Sequence, residues 1–516
     1  MSSWRTWAAR VLVLGLVGLA GCASLPALDG RLPTRAIDDT AGTRLGQAIA
    51  PLEAAHPGLS GVHALTEGTD AFAARGLLAA AAERSLDVQY YIWHPDEAGL
   101  SLFEALWKAA DRNVRVRLLL DDNNTGGMDP LIATLDAHPF IEVRLYNPVA
   151  QRSLRALNFL TDFSRVNRRM HNKSFTADNQ VAVVGGRNVG NEYYGIGSGV
   201  EFADADVMVV GPAVREVSAA FDRYWNSASA YPARALVGAA APGAEQALQA
   251  RFAQTRDSPA AQSYQQALRT APFVRELMDA TLKLEWSRTL LVVDDPAKTL
   301  APEVSADQLL LLPLLKAMGD PQASFDLVSP YLVPAAKGTE AIAALARSGV
   351  RVRILTNSLA ATDVGAVHSG YAKRRPDLLA AGVKLYEIKP TALSDVKSNE
   401  KSRGSSSSAL HAKTFSVDGG KVFVGSFNFD PRSALLNTEM GLVIDSPVLA
   451  AGVSRMFDEV APLGAYEVRL KPDGGSLEWI ERTPQGEVRH DTEPGTSALR
   501  RLGVGLMSWL PIEWLL

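Results

Sequence analysis

The 516-residue chain contains one cysteine, Cys22, and eight histidines, and its 52 Lys and Arg nearly balance 56 Asp and Glu. One thiol builds neither an internal disulfide framework nor a Cys-rich zinc site. At a net charge of −4, the chain lacks the basic excess of a dedicated, non-specific nucleic-acid binder. No uninterrupted apolar run reaches the roughly 18 residues of a membrane helix, which excludes a polytopic membrane protein. What is present is ordinary for a folded chain: 47% hydrophobic and 21% charged residues exclude disorder and collagen-like repeats. At roughly 150 residues per domain, the length suits two or three domains with sizeable cores.

One apolar run stands out by its place. Residues 11–20 follow Arg5 and Arg10 and lead into Leu19-Ala20-Gly21-Cys22. Such a run is too short to span a bilayer but suits the h-region of a signal peptide. Residues 1–21 therefore read as a lipoprotein signal peptide ending in a lipobox, with Cys22 acylated as the first mature residue. That reading expects a lipid-anchored, periplasm-facing protein of the bacterial cell envelope, on the inner or the outer membrane. Cys22→Ser is expected to leave the precursor unacylated, and either released from membranes or unprocessed. Fractionation and intact mass check this; a lipid-bearing, membrane-bound Cys22→Ser protein would refute the anchor.

The body of the chain is written twice. Ser85-Leu86-Asp87-Val88 is echoed by Ser324-Phe325-Asp326-Leu327, and Val114-Arg115-Val116-Arg117 recurs as Val350-Arg351-Val352-Arg353. At a constant offset of 240, Leu145-Tyr146 matches Leu385-Tyr386, and His171-x-Lys173-x-x-x-x-Asp178 matches His411-x-Lys413-x-x-x-x-Asp418. Gly185 and Asn188 match Gly425 and Asn428 at the same offset. Repeated order at a nearly constant spacing means duplication. Within each half, β-branched stretches such as 86–93 and 114–120 alternate with the helical periodicity of 101–111, which predicts an α/β sandwich. The expected organisation is a tether and lead-in at 22–60, a first half at 61–225 and an Ala/Gln-rich helical linker at 226–275. A second half at 276–465 and a C-terminal hairpin with an amphipathic segment at 466–516 complete it. Residues 404–408 form a Gly/Ser loop ahead of the second histidine motif, suited to a mobile rim.

Read as strands, residues 171–175 and their repeat put His171 with Lys173, and His411 with Lys413, on one face. An imidazole then projects beside an ammonium, one to attack or shuttle protons and one to hold an anion. At about 6% for each charged residue type, a random histidine meets both the Lys and the Asp position about once in 280. Two such motifs are therefore not chance. Asp178 and Asp418 precede Asn179 and Gly419, so both read as turn residues rather than chemistry. Asn188 and Asn428 follow small residues and either donate to a phosphate oxygen or cap helices beginning at Val189 and Phe429. Aligning the segments around 206–212 and 441–447 pairs Asp204 with Glu439 as orienting carboxylates, with Asp206 competing for the first role. His368 and Tyr371 are further candidates to line the site. Two histidines, two lysines and two asparagines at one interface suit a phosphodiester, with no metal.

These motifs resemble the phospholipase D superfamily, both H-x-K-x-x-x-x-D motifs being intact. More narrowly, Ser85-Leu86-Asp87-Val88-Gln89-Tyr90-Tyr91-Ile92-Trp93, Met170-His171-Asn172-Lys173-Ser174-Phe175-Thr176, Gly185-Gly186-Arg187-Asn188 and Leu510-Pro511-Ile512-Glu513 resemble its bacterial cardiolipin synthase branch, the C type above all. Other types of that branch begin with two membrane helices, where this chain has a lipobox. The resemblance implies two tandem phospholipase D-like α/β/α halves sharing one active site. It also implies cofactor-free transfer of a phosphatidyl group from a glycerophospholipid through a phosphohistidine to an alcohol such as phosphatidylglycerol, at a membrane surface and without nucleic acid. In that scheme His171, oriented by Asp204, is the nucleophile. His411, oriented by Glu439, is the general acid/base, and Lys173, Lys413, Asn188 and Asn428 hold phosphoryl oxygens. Hydrolysis of phospholipids, or less readily of nucleic acid, is the alternative for the same residues. Residues 497–516 carry two Trp, many aliphatics and Arg500 and Arg501, which suits either an interfacial segment or a terminal helix docked on the core.

Overall fold

A computed structural model describes residues 24–29, 31–197, 201–279, 281–300, 305–390 and 408–516. The lipobox with Cys22 and most of the 404–408 loop lie outside the described residues. Two mixed α/β units are present, one built on a nine-stranded and the other on a ten-stranded sheet. In the first, Ser85–Tyr90, Arg115–Asp121 and Ile141–Tyr146 run parallel. Beyond them Ser174–Ala177, Val181–Gly185 and Asp206–Val210 add antiparallel strands. The second repeats this with Ser324–Val328, Arg351–Asn357 and Lys384–Ile388, then Thr414–Val417, Lys421–Gly425 and Met440–Asp445.

The repeated short motifs turn out to be core architecture. Arg117 Nε and Nη2 meet Asp87 at 2.6 and 2.7 Å, and Arg353 meets Asp326 at 2.7 and 2.6 Å. Each bidentate pair clamps two parallel strands, and in each case both partners are buried. Asp178, at φ 50°, accepts from the backbone N–H groups of Glu83, Arg84 and Ser85, and Asp418, at φ 51°, accepts from those of Gln322, Ala323 and Ser324. The last motif residue thus ties a turn to the start of the central strand.

Helix formation follows local rules. Asp96 accepts from Gly99 N and starts Glu97–Asp111, one turn before the expected residue 101. Its Leu100, Phe103, Leu106, Trp107 and Ala110 recur every three to four residues and are all buried. The two units meet through their antiparallel sides. Val62, Val184, Val207 and Val209 of the first share one core with Val422, Val424, Leu442 and Ile444 of the second. At about 1.5–3 kcal/mol for each fully buried aliphatic side chain, this contact holds the halves as one body.

The expected boundaries shift in three places. Residues 226–275 are no free linker: Ala230–Pro232 pairs with Ile141–Tyr146, and Leu248, Phe252, Tyr264 and Phe273 join the first core. The Ala/Gln composition masked a sparse apolar face that is sufficient to dock. Glu285–Ser287 completes the first sheet beside Ser60–Leu65, while Thr289–Val293 pairs with Met440–Asp445, so the chain changes units at Arg288 rather than near 275. Within the expected C-terminal region, Ala465–Leu470, Leu477–Thr483 and Gly486–His490 pair antiparallel in succession and extend the second sheet. The lead-in is likewise strapped down, Arg31 donating to the carbonyls of Asn226, Ser227 and Ala230 at 2.5–2.8 Å. Among the described residues no helix is long and apolar enough to cross a membrane.

Candidate active site

Both histidine motifs sit just upstream of a strand. Ser174–Ala177 and Thr414–Val417 begin three residues after His171 and His411, so the histidines and lysines lie in the approach and not in the strand as the alternation suggested. Each lysine instead curls back, Lys173 Nζ donating to His171 O at 2.5 Å and Lys413 Nζ to His411 O. The opposite half fixes each backbone: His171 N donates to Thr438 O at 2.8 Å, and His411 N to Ala203 O at 2.7 Å. The strand Ser408–Leu410 pairs with Glu201–Ala203 across the same junction.

The carboxylates cross between the halves, which corrects the expected pairing. His171 Nδ1 lies 2.8 Å from Glu439 Oε2, and His411 Nδ1 is hydrogen-bonded to Asp204 Oδ2. The reason is topological. The antiparallel sides of the two sheets face each other, so the segment carrying each carboxylate ends over the other half's histidine. A carboxylate on Nδ1 places the proton there and the lone pair on Nε2. Glu439 is further held by Ser426 Oγ at 2.5 Å and by its own N–H donating to Asp294 Oδ2 at 2.8 Å. Asp206 does not compete: it pairs with Arg75 Nη2 at 2.8 Å and accepts from Arg187 N. Gly185 and Gly186 are required here, since a Cβ at either would lie 2.1 or 2.2 Å from a carboxylate oxygen of Asp206 or Asp204.

The asparagines are not helix caps. The helices that follow, Asn191–Tyr194 and Pro431–Leu435, begin after Gly190 and after Asp430, and the latter accepts from Ser433 N. Asn188 is committed within its own half, its Oδ1 accepting from Ile92 N at 3.1 Å and its Nδ2 donating to Tyr193 Oη at 3.0 Å. Among the described residues, Asn428 Oδ1 is buried without a partner. His368 and Tyr371 do not join the site. His368 Nε2 is 2.9 Å from Glu493, and Tyr371 Oη donates to Glu387 at 3.1 Å, both in a buried network beneath the C-terminal segment. Two aromatic rings, unrepeated between the halves, were not singled out as site residues: Tyr91 packs edge-on against His171 at 5.0 Å, and Tyr193 against His411 at 5.2 Å.

Burial sets the electrostatics. His171, His411, Lys173 and Lys413 are each at most 8% exposed. Desolvation, reinforced by Lys173 and Lys413, holds His171 well below the ordinary histidine range. His411 is lowered by the same causes but is supported by Asp204. Burial brings Lys173 down to about 7 and Lys413 to about 8, and pushes Glu439 up to about 7. Asp204 is held below the usual carboxylate range, because His411 and Lys413 outweigh the burial that would raise it. Both imidazoles are therefore lowered, but their carboxylates differ: Glu439 beside His171 is pushed up, and Asp204 beside His411 is held down.

A family model described as "Cardiolipin synthase, PLD-like domain" matches residues 77–225 and 314–461. The chain is 48% identical to cardiolipin synthase C of Escherichia coli (strain K12) over 92% of its length and 100% of that protein. It is 26% identical to cardiolipin synthase 2 of Staphylococcus epidermidis, covering 73% of this chain and 63% of that one. The crystal structure of a phosphatidylserine synthase from Haemophilus influenzae Rd KW20 shares the fold, with a TM-score of 0.53 at 13% identity, over 91% of this chain and 100% of that one. Two intact histidine motifs meeting at one interface, in a chain matched over both halves, mean that this protein belongs to the phospholipase D-like cardiolipin synthase family of enzymes.

Proposed function

We propose that the protein is a lipid-anchored phosphatidyltransferase that joins a phosphatidyl group to a phospholipid alcohol such as phosphatidylglycerol through a phosphohistidine. The observation that carries this reading is the crossed pair of buried His–carboxylate units beside Lys173 and Lys413. In the first step His171 Nε2 attacks phosphorus. The P–N bond forms, the P–O bond to the leaving alcohol breaks, and His411 supplies that alcohol's proton. In the second step His411 takes the proton of the incoming hydroxyl, whose oxygen attacks phosphorus and breaks the P–N bond. The exchange conserves phosphodiester energy, so it requires no nucleotide, which suits the envelope location expected from the lipobox. Purified protein with phosphatidylglycerol vesicles should yield cardiolipin by lipid mass spectrometry; phosphatidic acid alone would overturn transfer in favour of hydrolysis.

The lysines give a second test. Removing one cation from the phosphoryl pocket should cost on the order of 3 kcal/mol, so Lys173→Ala and Lys413→Ala should each lose at least about 100-fold in kcat/KM. Burial lowers Lys173 to about 7 and Lys413 to about 8. For wild type, kcat/KM toward an anionic phosphodiester should therefore begin to fall as pH rises through about 7 and fall more steeply past about 8. Between those values and about 10.4 the unfolded chain binds protons that the folded chain does not, so the lysines weigh against stability most at the acid end of that range. Neither variant should then melt below wild type at pH 7. Activity within tenfold of wild type in either variant would sink the shared-pocket model.

A further inference from the structure

Two exposed apolar segments, one from each half, are linked by an arginine that bonds the residues just beyond them. In the first half, Leu154, Phe159, Leu160 and Phe163 lie on or beside the helices Arg155–Thr161 and Phe163–Val166, with Leu160 at 83% exposure. In the second, Leu499, Leu502, Leu506, Trp509 and Leu510 recur at three- and four-residue steps along the helix Ala498–Ser508 and its end, with Trp509 at 89% exposure. The opposite side of that helix packs on Gly365–Ala372 through Val504, so the helix is both docked and left with an apolar stripe facing water. Arg432 joins the two segments. Its N–H and Nε donate to Leu516 O and Leu515 O, and its Nη1 and Nη2 donate to the carbonyl and side-chain oxygens of Asn167, at 2.7–3.0 Å. Asn167 lies four residues before His171, and Arg432 four after Asn428. The link between the two segments is therefore close in sequence to both His171 and Asn428.

Charge identifies what covers them. Residues 494–512 carry two charged side chains, Arg500 and Arg501, and no acid. Their guanidinium groups donate to Thr362 O and Thr496 O rather than to carboxylates. Glu513, next along, is neutralised by Lys373 and Arg374. Aliphatic and tryptophan side chains with uncompensated arginines are the make-up of a helix lying in the headgroup region of an anionic bilayer. We propose that residues 154–163 and 498–514, tied by Arg432, form one bilayer-docking face that sets the active-site mouth against an anionic membrane. This deepens the reading of phospholipid as substrate and rests on it.

The full chain and a Leu502→Ser/Leu506→Ser/Trp509→Ser variant are compared on phosphatidylglycerol-containing vesicles with brominated acyl chains, which quench inserted tryptophan, and on a monomeric short-chain phosphodiester. The variant should lose the bromine-quenched component and at least tenfold of the vesicle rate, and stay within twofold on the monomeric substrate. Quenching that is absent in wild type, or unchanged in the variant, overturns the docking face whether or not lipid is turned over. Quenching without any lipid turnover would instead refute the proposed reaction and leave the docking face standing. If the substitutions dissociate a dimer in sedimentation while wild type shows no quenching, the face belongs to a second copy and the proposal falls.

Discussion

His171→Ala is expected to remove transfer by at least about 10⁴-fold and to leave no covalent adduct, because the attacking nitrogen is gone. His411→Ala is expected to fail in turnover just as completely, yet to behave differently toward an activated donor. A nitrophenyl phosphodiester needs little help from an acid on departure, so the lone pair of His171 can still displace it. The second step then stalls, since no base takes the proton of the incoming alcohol. Intact mass and peptide mapping should find the phosphatidyl group on His171 in the His411→Ala protein and none in His171→Ala. The assignment follows the resemblance of the first motif to the phospholipase D superfamily; burial and both lysines lower the two histidines alike, and Asp204 partly offsets this at His411. An adduct on His411 would reverse the roles.

The crossed carboxylates yield a second result of similar size. Replacing the carboxylate that holds Nδ1–H by an amide disturbs the tautomer, a change that costs about 10⁴-fold where it has been made in a Ser-His-Asp triad. Asp204→Asn should cripple His411, although Asp204 belongs to the half that carries His171. Its signature is accumulation of the phosphohistidine from the activated donor, as in His411→Ala. Glu439→Gln should cripple His171 and slow adduct formation itself. If each carboxylate served the histidine of its own half, the two phenotypes would be exchanged. Rapid-quench measurement of adduct formation and decay in both variants decides between the arrangements.

Much of this was legible in the chain. Duplication at a fixed offset exposed both His-x-Lys motifs, because the same local chemistry had to be written twice. The left-handed turns at Asp178 and Asp418 were readable from the Asn and Gly that follow them, since a turn is decided within four or five residues. Other features were not legible. The helices at 244–278 read as linker because their docking face is only a few apolar residues wide. Tyr91 and Tyr193 are unrepeated, so no comparison of the halves could single them out.

The sequence by itself therefore determined the two α/β halves, their duplicated His and Lys positions and the turns that end each motif, all of which depend on periodicity and near neighbours. Only the tertiary structure decided which carboxylate pairs with which histidine, where the chain passes from one unit to the other, and that Arg432 ties Asn167, beyond one apolar stripe, to Leu515 and Leu516, beyond the other. Glu439 and His171 are 268 residues apart, and Asp204 and His411 are 207 apart. Alignment of a duplicated chain pairs each residue with its equivalent in the other half. A contact across the interface pairs it with whatever the packing of two sheets brings opposite, and that is set by the shape of the shared valine-rich core.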